Sequence, residues 1–550
     1  MKKIVCALLV LSMMLSLAGC FAVPTPTPST TPSNEESSKD DETLKAESQL
    51  ATEVMTPNED GTLSMARVDI VTKSTAKNAM DFVTKPVARD TATTIASYTP
   101  GYVIPVEPYY EDCTVTVTDK SNQTTLNAAD AQVKVRGNWT TSYDKKSLRI
   151  KFTEKQNMLG LNDGAKMKNW VLIAEYKDSS MLRDKTIYQI ANEILEPEGY
   201  YCTDAEFVEV TINGNYWGVY LLAEHQQINK NRVDITEAEK DYKGTDIGYF
   251  IEFDGYYYTE DESTTFMVDY HDNAPLITYE GEGKTGKSET VFARDPDDKK
   301  RKVGFTIKSD IYCEEQREFI ANFVNGVYDI MYEAAYRNTA YEFNADYTAI
   351  VRSSTLTPKQ AIEKVVDVNS LVNMYILYEL ACDADGYWSS FFMSVDFGEG
   401  GNRKLTFTAP WDFDSAMANT NSGMRCGTAQ GYFATTSILS TNNKFYALNP
   451  WLTVLAHQDW YREAVSERWT EIYDSGVFER AIKMIENDSK EYRSNFNRNF
   501  LKWDNLADTP KFTKDPNETT SKSRTHTAAV KFLKKWLEAR VEFLNGEWHK

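Results

Sequence analysis

The chain is organised around one stretch, residues 381–414, with the sequence ACDADGYWSSFFMSVDFGEGGNRKLTFTAPWDFD. Two runs rich in apolar residues, 390–397 and 403–411, are separated by Gly, Glu and Asn residues at 398–402. Short connections between antiparallel strands use Gly and Asn because these residues readily adopt positive φ. The stretch therefore predicts a β-hairpin that brings its two ends close together.

A pair of aspartates lies near each end of this hairpin, Asp383 with Asp385 and Asp412 with Asp414. Residues i and i+2 of an extended segment point to the same face, so both carboxylates of a pair can face one site. Clustered carboxylates repel one another unless a cation or a proton lies between them. Mg²⁺ is usually held by one or two carboxylates together with phosphate and water. An aspartate before a hairpin and another after it also match a protein-kinase site, with a base first and a metal ligand second.

The composition limits the possible functions. With 550 residues, 41% of them hydrophobic and 12% aromatic, the chain can form two or three domains or one large bilobal one. The formal net charge of −21 argues against a nucleic-acid partner, because nucleic-acid binders carry a basic footprint. It also argues against electrostatic binding to a membrane surface. A solvated acidic surface is the simplest explanation of this charge.

The N-terminus has the pattern of an export signal. Lys2 and Lys3 precede an apolar run at 4–17, and small residues lead to Cys20. A short basic region, an apolar core and small residues before a cleavage point define a secretory signal. The run is too short for a comfortable transmembrane span. We expect residues 1–20 to be a lipoprotein signal peptide with Cys20 as the lipidated first residue; an ordinary signal that contains Cys20 is the alternative.

Residues 21–62 are predicted to be a disordered linker. Pro, Thr and Ser dominate residues 24–33, and a mixed acidic run occupies 35–47. Neither part can bury enough apolar surface to fold. We therefore expect an extracytoplasmic protein, anchored by lipid to the outer face of the bacterial cell membrane, whose folded domain at 63–550 is held away from the bilayer.

The cysteines and histidines do not form a recognisable chemical motif. Apart from Cys6 and Cys20, five cysteines remain at irregular spacings, so no disulfide framework is predicted. Cys382 precedes the first aspartate pair and is interpreted as a small buried residue, because no histidine lies near it in sequence. The five histidines are scattered and contain no HExxH pattern, which argues against a zinc hydrolase.

A basic segment interrupts the acidic chain within a region, 63–155, whose pattern indicates β-strands. Between Lys134 and Lys155 there are seven basic residues and two acidic ones. In the run 145–152, Leu, Ile and Phe alternate with Ser, Arg and Lys, which predicts a strand with one apolar face and one basic face. The basic face is suited to a polyphosphate, and a solvated strand face is an equally good explanation.

The remaining elements follow from periodicity and from turn signals. Asn213 and Gly214 predict a tight hairpin between strands at 207–212 and 217–224. Asp178 and the serines after it are an N-cap signal for a helix that ends near Ile194, before Pro197. We expect a further strand at 248–254, a polar elaboration at 256–305, and helices at 314–336, 369–382, 450–473, 478–500 and 525–546.

Several of these stretches, in this order, resemble the spore coat protein H (CotH) kinase family. The matching residues are Arg136-Gly137-Asn138, 146–152, 170–183, 212–220 with Glu224, the segment at Asp385, and 410–414. They cover roughly 130–420, and a helical tail similar to that of the family continues to 550. The resemblance implies an α+β, atypical protein-kinase-like bilobal fold within 63–550, with a β-rich N-terminal lobe at about 100–255 and a helical C-terminal lobe at about 310–550.

The resemblance also implies an activity and a set of site residues. The implied activity is ATP-dependent phosphorylation of Ser or Thr in surface, envelope or spore-coat proteins, with Mg²⁺ or Mn²⁺. Such chemistry depends on positioning and charge neutralisation and needs no protein nucleophile. The implied roles are a phosphate contact for Lys146, phosphate or lobe support for Arg136 and Arg183, the catalytic base for Asp385, a metal ligand for Asp412, and metal support for Asp414.

The sequence departs from the kinase pattern at one position. Five residues after the base, kinase-like sites have a metal-binding Asn, and here the residue is Ser390. A hydroxyl is a weaker metal ligand than a carboxamide, so two alternatives stay open: Ser390 holds a second metal only loosely, or another residue such as Asp383 supplies the ligand. Simpler explanations stay open for the other residues: Lys146 as a solvated charge, and Asp412 with Asp414 as a structural Ca²⁺ site.

Two other functions remain compatible with the sequence. A non-catalytic surface scaffold that keeps a kinase-like fold for binding would explain the tether, the lipid anchor and the departure at Ser390. A carbohydrate-active surface protein would use paired carboxylates and stack sugars on some of the 11 Trp and 32 Tyr residues. The order of the motifs gives this last function the least support.

Overall fold

A computed structural model describes most of the chain. The described residues are 49–75, 79–85, 108–137, 139–271, 277–278, 281–282, 303–419, 427–435, 438–440, 445–447, 449–506 and 523–550. The predicted signal peptide with Cys20, the linker as far as residue 48 and Cys426 lie outside them, as do residues 272–276, 279–280 and 283–302 of the elaboration predicted at 256–305.

The first half of the fold is a closed seven-stranded barrel. Its order is β1-β2-β3-β4-β5-β7-β6, and a parallel pairing of β1 with β6 closes it. Neighbouring strands otherwise pair antiparallel, and the hairpin predicted at Asn213 and Gly214 is confirmed, with both residues at positive φ. The strands are β1 (Ala66–Thr72), β2 (Glu111–Thr118), β3 (Thr124–Val135), β4 (Leu148–Gln156), β5 (Met167–Ile173), β6 (Ala205–Ile212) and β7 (Asn215–Glu224).

Alternation along β4 separates the barrel core from a polar outer face. Leu148, Ile150 and Phe152 are buried in the core of the barrel, as their spacing predicts. Arg149 and Lys151 lie on the opposite side of the strand and line a cavity outside the barrel. The predicted division of this strand into an apolar and a basic face is confirmed.

The second half contains a five-stranded sheet in the order β16-β15-β8-β12-β9. The hairpin predicted from residues 381–414 is confirmed as the antiparallel pair β15 and β16, and β15 pairs on its other side with β8. Besides the barrel strands, the structure has β8 (Gly248–Asp254), β9 (Thr265–Phe266), β10 (Ile277–Thr278), β11 (Gly281–Glu282), β12 (Gly304–Ile307), β13 (Tyr341–Phe343), β14 (Ile350–Arg352), β15 (Phe391–Asp396), β16 (Thr406–Thr408), β17 (Ile438–Ser440) and β18 (Phe445–Ala447).

Helices surround this second sheet and complete a mixed α+β fold. The labelled helices are α1 (Asp81–Thr84), α2 (Arg183–Leu195), α3 (Glu314–Arg337), α4 (Pro358–Val365), α5 (Val368–Ala381), α6 (Pro450–Thr453), α7 (Asp459–Asp474), α8 (Val477–Glu491), α9 (Arg493–Lys502) and α10 (His526–Trp548). Helix α5 is apolar almost all round, so it lies inside the core and not on its surface.

Three predicted elements differ from the structure. The helix expected at 450–473 is interrupted between α6 and α7, and the one expected at 478–500 is interrupted at Tyr492, between α8 and α9. Residues 49–55, inside the predicted linker, are helical. Leu50 and Val54 from this segment are buried against Tyr216 on the barrel, so this short part of the linker has enough apolar surface to dock.

No helix in the described part of the chain combines the length and the apolar character needed to cross a bilayer.

Candidate active site

A cavity of about 810 Å³ lies between the outer face of the barrel and the five-stranded sheet. The barrel strands β3 and β4 and their connection provide a basic wall, formed by Lys134, Arg136, Arg149 and Lys151. Lys145 also lines the cavity, but it is buried, its Nζ donates to the carbonyl of Ala174 at 2.7 Å, and burial lowers its pKa well below the usual value. The acidic wall comes from β8 and from the residues that flank the central hairpin, namely Glu252, Asp254, Asp385, Asp412 and Asp414. Opposite charges therefore face each other across one cavity.

The end of α5 places the predicted base at this cavity. Cys382 adopts a left-handed backbone conformation at the C-terminus of the helix, and a 3₁₀ turn at Asp385–Tyr387 follows. The Oδ2 atom of Asp385 accepts a hydrogen bond of 3.0 Å from the hydroxyl of Ser415. Burial raises the pKa of Asp385, and the nearby charge of Lys177 opposes that rise.

The second aspartate pair follows β16. Asp412 has a φ of 67°, which is uncommon outside Gly and typical of a constrained site. The N–H of Phe413, between the two aspartates, donates to Asp184 Oδ1 at 2.7 Å. Burial raises the pKa of Asp412 well above its usual range, and the charges of Asp414 and Asp385 raise it further. This carboxylate thus needs either a proton or a cation.

A lysine that the sequence did not single out joins these groups. Lys177 Nζ forms an ion pair of 2.9 Å with Asp414 Oδ1 and also contacts the hydroxyl of Ser415. Ser415 in turn donates to Asp385. Burial lowers the pKa of Lys177, but Asp414 and Asp385 outweigh burial, and the pKa lies above its usual value. The ammonium group is therefore charged in the folded protein.

Ser390 connects the two parts of the acidic wall, Glu252 on β8 and Asp412 after β16. Its N–H donates to Glu252 Oε1 at 2.9 Å, and its hydroxyl lies 3.4 Å from Asp412 Oδ2. The hydroxyl of Tyr378 donates to the carbonyl oxygen of Ser390 at 3.0 Å. The structure thus places Ser390 beside Asp412, and Ser390 has a φ of 60°.

Asp383 lies behind this group and not on the cavity surface. Its side chain is buried, and its Oδ1 atom accepts the N–H of Asp385 at 3.3 Å. Its Oδ2 atom has no hydrogen-bond partner among the described residues. Burial, followed by the charges of Asp385 and Asp412, raises the pKa of Asp383 well above its usual range.

Arg136 and Arg149 of the basic wall have different partners, one on the acidic side of the cavity and one on the barrel. The guanidinium of Arg136 lies 5.2 Å from the ring centroid of Trp411, so the predicted phosphate contact at Arg136 lines the cavity next to Asp412. Arg149 Nη2 donates to Asn169 Oδ1 at 3.0 Å. Burial lowers the pKa of His225 far below its usual value, and the charges of Arg149 and Arg136 lower it further, so this histidine is neutral.

Lys146 does not lie where the resemblance implies. It is 5% exposed, it does not line the cavity, and its Nζ donates to the carbonyl of Tyr143 at 2.7 Å. The reason is the parity of the strand, because Lys146 shares its side with Leu148 and the other core residues of β4. Its neighbours Lys145 and Ser147 line the cavity instead.

Arg183 is also placed away from the cavity. Its guanidinium is fully buried, forms an ion pair with Asp178, and donates to the carbonyls of Ala416 at 3.0 Å and Met417 at 3.1 Å. Asp178 accepts the N–H groups of Leu182 and Arg183 at the start of α2. The N-cap position itself is Leu182, whose side chain makes no capping hydrogen bond, so the N-cap predicted at Asp178 and its serines is wrong in position. Arg183 therefore supports the segment after Asp414 and does not face a phosphate.

Several other site residues were missed from the sequence, namely Lys177, Glu175, Asp184, Glu252, Asp254 and Lys308. Glu252 Oε2 forms an ion pair of 2.7 Å with Lys308, and Asp254 is the next residue on the same face of β8. The i, i+2 spacing of these two acids is visible in the sequence and could have indicated them. Glu175 and Lys177 flank one tyrosine in a loop, and no periodicity indicates where they point.

The donor set fits a hard cation that is shared with a ligand. Among the described residues, no three His, Cys, Asp or Glu side chains converge into a metal site made by the protein alone. A nucleotide-bound Mg²⁺ needs one or two carboxylates, with phosphate and water completing its shell. Asp412 and Asp414 provide oxygen donors of this kind, and a cation would relieve the repulsion that raises the pKa of Asp412.

Comparison with known proteins identifies the family. No curated protein matches the chain. The family model described as CotH kinase protein matches residues 133–544, which include the barrel strands from β4 onward, the central hairpin and most of α10. The match covers most of the chain and all the residues that form the two walls of the cavity. The chain therefore belongs to the CotH kinase family.

Proposed function

We propose that the chain is an atypical protein kinase that transfers the γ-phosphate of ATP to Ser or Thr of extracytoplasmic proteins. The observation that carries the proposal is the cavity in which Asp385, Asp412 and Asp414 face a basic wall. Family membership is consistent with kinase activity. A cavity of about 810 Å³ also has room for a nucleotide, since small-molecule sites span roughly 300–1,000 Å³.

The kinase-like bilobal arrangement is part of this proposal. The barrel corresponds to the smaller, β-rich lobe, and the five-stranded sheet with its helices corresponds to the larger one. The position of the cavity between these two units supports the comparison. In this arrangement the basic wall belongs to one lobe and the acidic wall to the other.

The proposed roles follow from charge and position. Asp385 accepts the proton of the acceptor hydroxyl, and Asp412 with Asp414 holds Mg²⁺ or Mn²⁺. When bound, the metal neutralises phosphate charge and helps to align the transferred group. Arg136, Arg149 and other residues of the basic wall orient the phosphates, a role that the sequence assigned in part to Lys146.

The partners follow from the sequence and the site together. They are ATP, an acceptor protein with an accessible Ser or Thr, and a membrane reached through lipid on Cys20. We propose that the chain acts on the outer face of the bacterial cell membrane, on surface, envelope or spore-coat proteins. The N-terminal pattern of a lipoprotein signal supports this location.

A second candidate function is a non-catalytic scaffold with a retained nucleotide site. The observation that favours it is Ser390, whose hydroxyl lies 3.4 Å from Asp412 Oδ2 in the place of a carboxamide. A weaker ligand at this point loosens one cation contact. Binding can then persist while phosphotransfer is slow or absent.

A thermal-shift titration tests both candidates. The chain from residue 21 is melted with millimolar ATP and Mg²⁺ or Mn²⁺, beside Asp412→Ala, and phosphotransfer to acceptor proteins is followed with labelled ATP. A ligand that binds the native state raises the melting temperature. A kinase shows a shift that Asp412→Ala removes, together with transfer. A shift without transfer indicates the scaffold, and no shift in the wild type excludes nucleotide binding.

A further inference from the structure

Lys177 makes a direct contact with the group of carboxylates at the cavity. We call Asp383, Asp385, Asp412 and Asp414 the acidic centre. Lys177 Nζ lies 2.9 Å from Asp414 Oδ1 and contacts the Ser415 hydroxyl, which itself donates to Asp385 Oδ2 at 3.0 Å. One ammonium group is thus linked directly to one carboxylate and, through one hydroxyl, to a second.

The position of this ammonium is that of an internal counter-ion. The acidic centre has four carboxylates within one turn and one hairpin, and such crowding is unfavourable without a cation. Lys177 also lines the cavity, so its side chain can leave Asp414 without unfolding its surroundings.

A divalent cation and Lys177 require the same carboxylate. Asp414 Oδ1 accepts from Lys177, and it is also one of the oxygens proposed to hold the metal. Two cations beside one carboxylate repel each other at a distance of a few ångströms. The side chain of Lys177 is 28% exposed, so the ammonium can move toward the cavity, where the phosphates of the nucleotide are proposed to lie.

We propose that Lys177 is a displaceable counter-cation of Asp414, which a divalent metal has to remove before it can bind at the acidic centre. This inference rests on the proposed function for the location of the metal. It assigns to Lys177 two successive partners, Asp414 in the absence of metal and the anionic ligand in its presence. Metal binding displaces the ammonium of Lys177 toward the nucleotide phosphates, and phosphate binding holds it away from Asp414. The metal and the nucleotide are therefore expected to bind interdependently.

The test measures binding of Mn²⁺ alone by isothermal titration calorimetry, without nucleotide, to the chain from residue 21. Lys177→Met is compared with the wild type, with Lys177→Arg, which keeps the charge, and with Lys168→Met. Lys168 is the control because it is an exposed lysine on β5 that does not line the cavity. Circular dichroism establishes that each variant is folded.

We expect Lys177→Met to bind Mn²⁺ at least about tenfold more tightly, since a charge a few ångströms away opposes the metal in the wild type. Lys177→Arg and Lys168→Met should stay within about threefold of the wild type. Unchanged or weaker binding by Lys177→Met overturns the proposal, as does the absence of Mn²⁺ binding in every variant.

A separate titration of the wild type with ATP distinguishes failure of this inference from failure of the proposed function. ATP binding with unchanged Mn²⁺ affinity in Lys177→Met retains the kinase proposal and removes the counter-cation. If Lys177→Met does not fold, Lys177→Gln replaces it, since glutamine can still hydrogen-bond to Ser415. Misfolding of both variants shows that the ammonium is a structural requirement and contradicts a displaceable role.

Discussion

Replacing Arg183 by leucine distinguishes a structural arginine from a phosphate-binding one. Arg183 and Asp178 are fully buried and form an ion pair, so the variant leaves a carboxylate buried without its partner. Removing one member of such a pair costs about 3–5 kcal/mol. The carbonyls of Ala416 and Met417 lose their donors as well, at about 1–3 kcal/mol for a buried unsatisfied group. Because these losses are not additive, we expect about 4 kcal/mol overall.

Urea denaturation followed by tryptophan fluorescence measures this loss as a lower midpoint. The double variant with Asp178→Asn serves as a control, because asparagine keeps an acceptor for the N–H of Leu182 but leaves no buried charge. We expect the double variant to be more stable than Arg183→Leu alone. Arg149→Met is the opposite control, since Arg149 lines the cavity and should affect ATP affinity more than stability.

The structural role is refuted if the free energy of unfolding of Arg183→Leu lies within about 1 kcal/mol of the wild-type value while ATP no longer raises its melting temperature. That result would return Arg183 to the phosphate-binding role that the sequence resemblance implies. If the variant is strongly destabilised and ATP still raises its melting temperature by about as much as in the wild type, the structural role of Arg183 is supported.

Three other predictions test the site. Ser390→Asn should raise metal-dependent activity severalfold in a phosphotransfer assay, because asparagine offers a carboxamide oxygen to the metal. Asparagine also tolerates the φ of 60° at this position. Unchanged activity would show that Ser390 does not limit the reaction. Lys151→Met should weaken ATP binding about threefold to tenfold by calorimetry, because Lys151 lines the cavity. Lys146→Met should mainly lower the melting temperature, because Lys146 bonds to the carbonyl of Tyr143 and does not line the cavity. The reverse pattern would restore the phosphate contact that the resemblance implies for Lys146. Burial and the charge of Glu252 raise the pKa of Asp254 to about 6, from 3.8. Between about pH 4 and 6 the folded protein therefore keeps a proton that the unfolded chain has lost, so the free energy of unfolding should fall as the pH rises through this range. Asp254→Asn should flatten this part of a profile of urea midpoint against pH, and an unchanged slope would contradict the prediction.

The hairpins could be predicted from the sequence because their signals are local. Asn213 and Gly214 adopt the positive φ that a tight turn needs, and the strands on either side of the turn pair as expected. The central hairpin at 391–408 has the same kind of signal. The closure of the barrel could not be predicted, because β1 and β6 pair in parallel across more than 130 residues, and no short-range pattern specifies such a partner.

The aspartates of the site were predictable and its basic residues were predictable only in part. Asp385, Asp412 and Asp414 follow or precede regular elements, so their common location follows from the hairpin. Lys146 was assigned by resemblance, although the alternation of the apolar residues in β4 places it on the core side. Lys177 lies in a loop, and only the tertiary fold brings it to Asp414.

The carboxylates of the acidic centre have to be neutralised whether or not a metal is bound. A scaffold that never binds a cation has to neutralise its buried carboxylates internally, with a basic side chain or a proton, because an uncompensated buried charge is costly. Lys177 does this for Asp414. Asp412 and Asp383 instead have pKa values that burial and neighbouring carboxylates raise well above the usual range, and Asp383 Oδ2 has no partner among the described residues. Because a proton can neutralise these two carboxyls when no metal is bound, the charge distribution is compatible with both candidate functions, and phosphotransfer distinguishes a kinase from a scaffold that binds nucleotide.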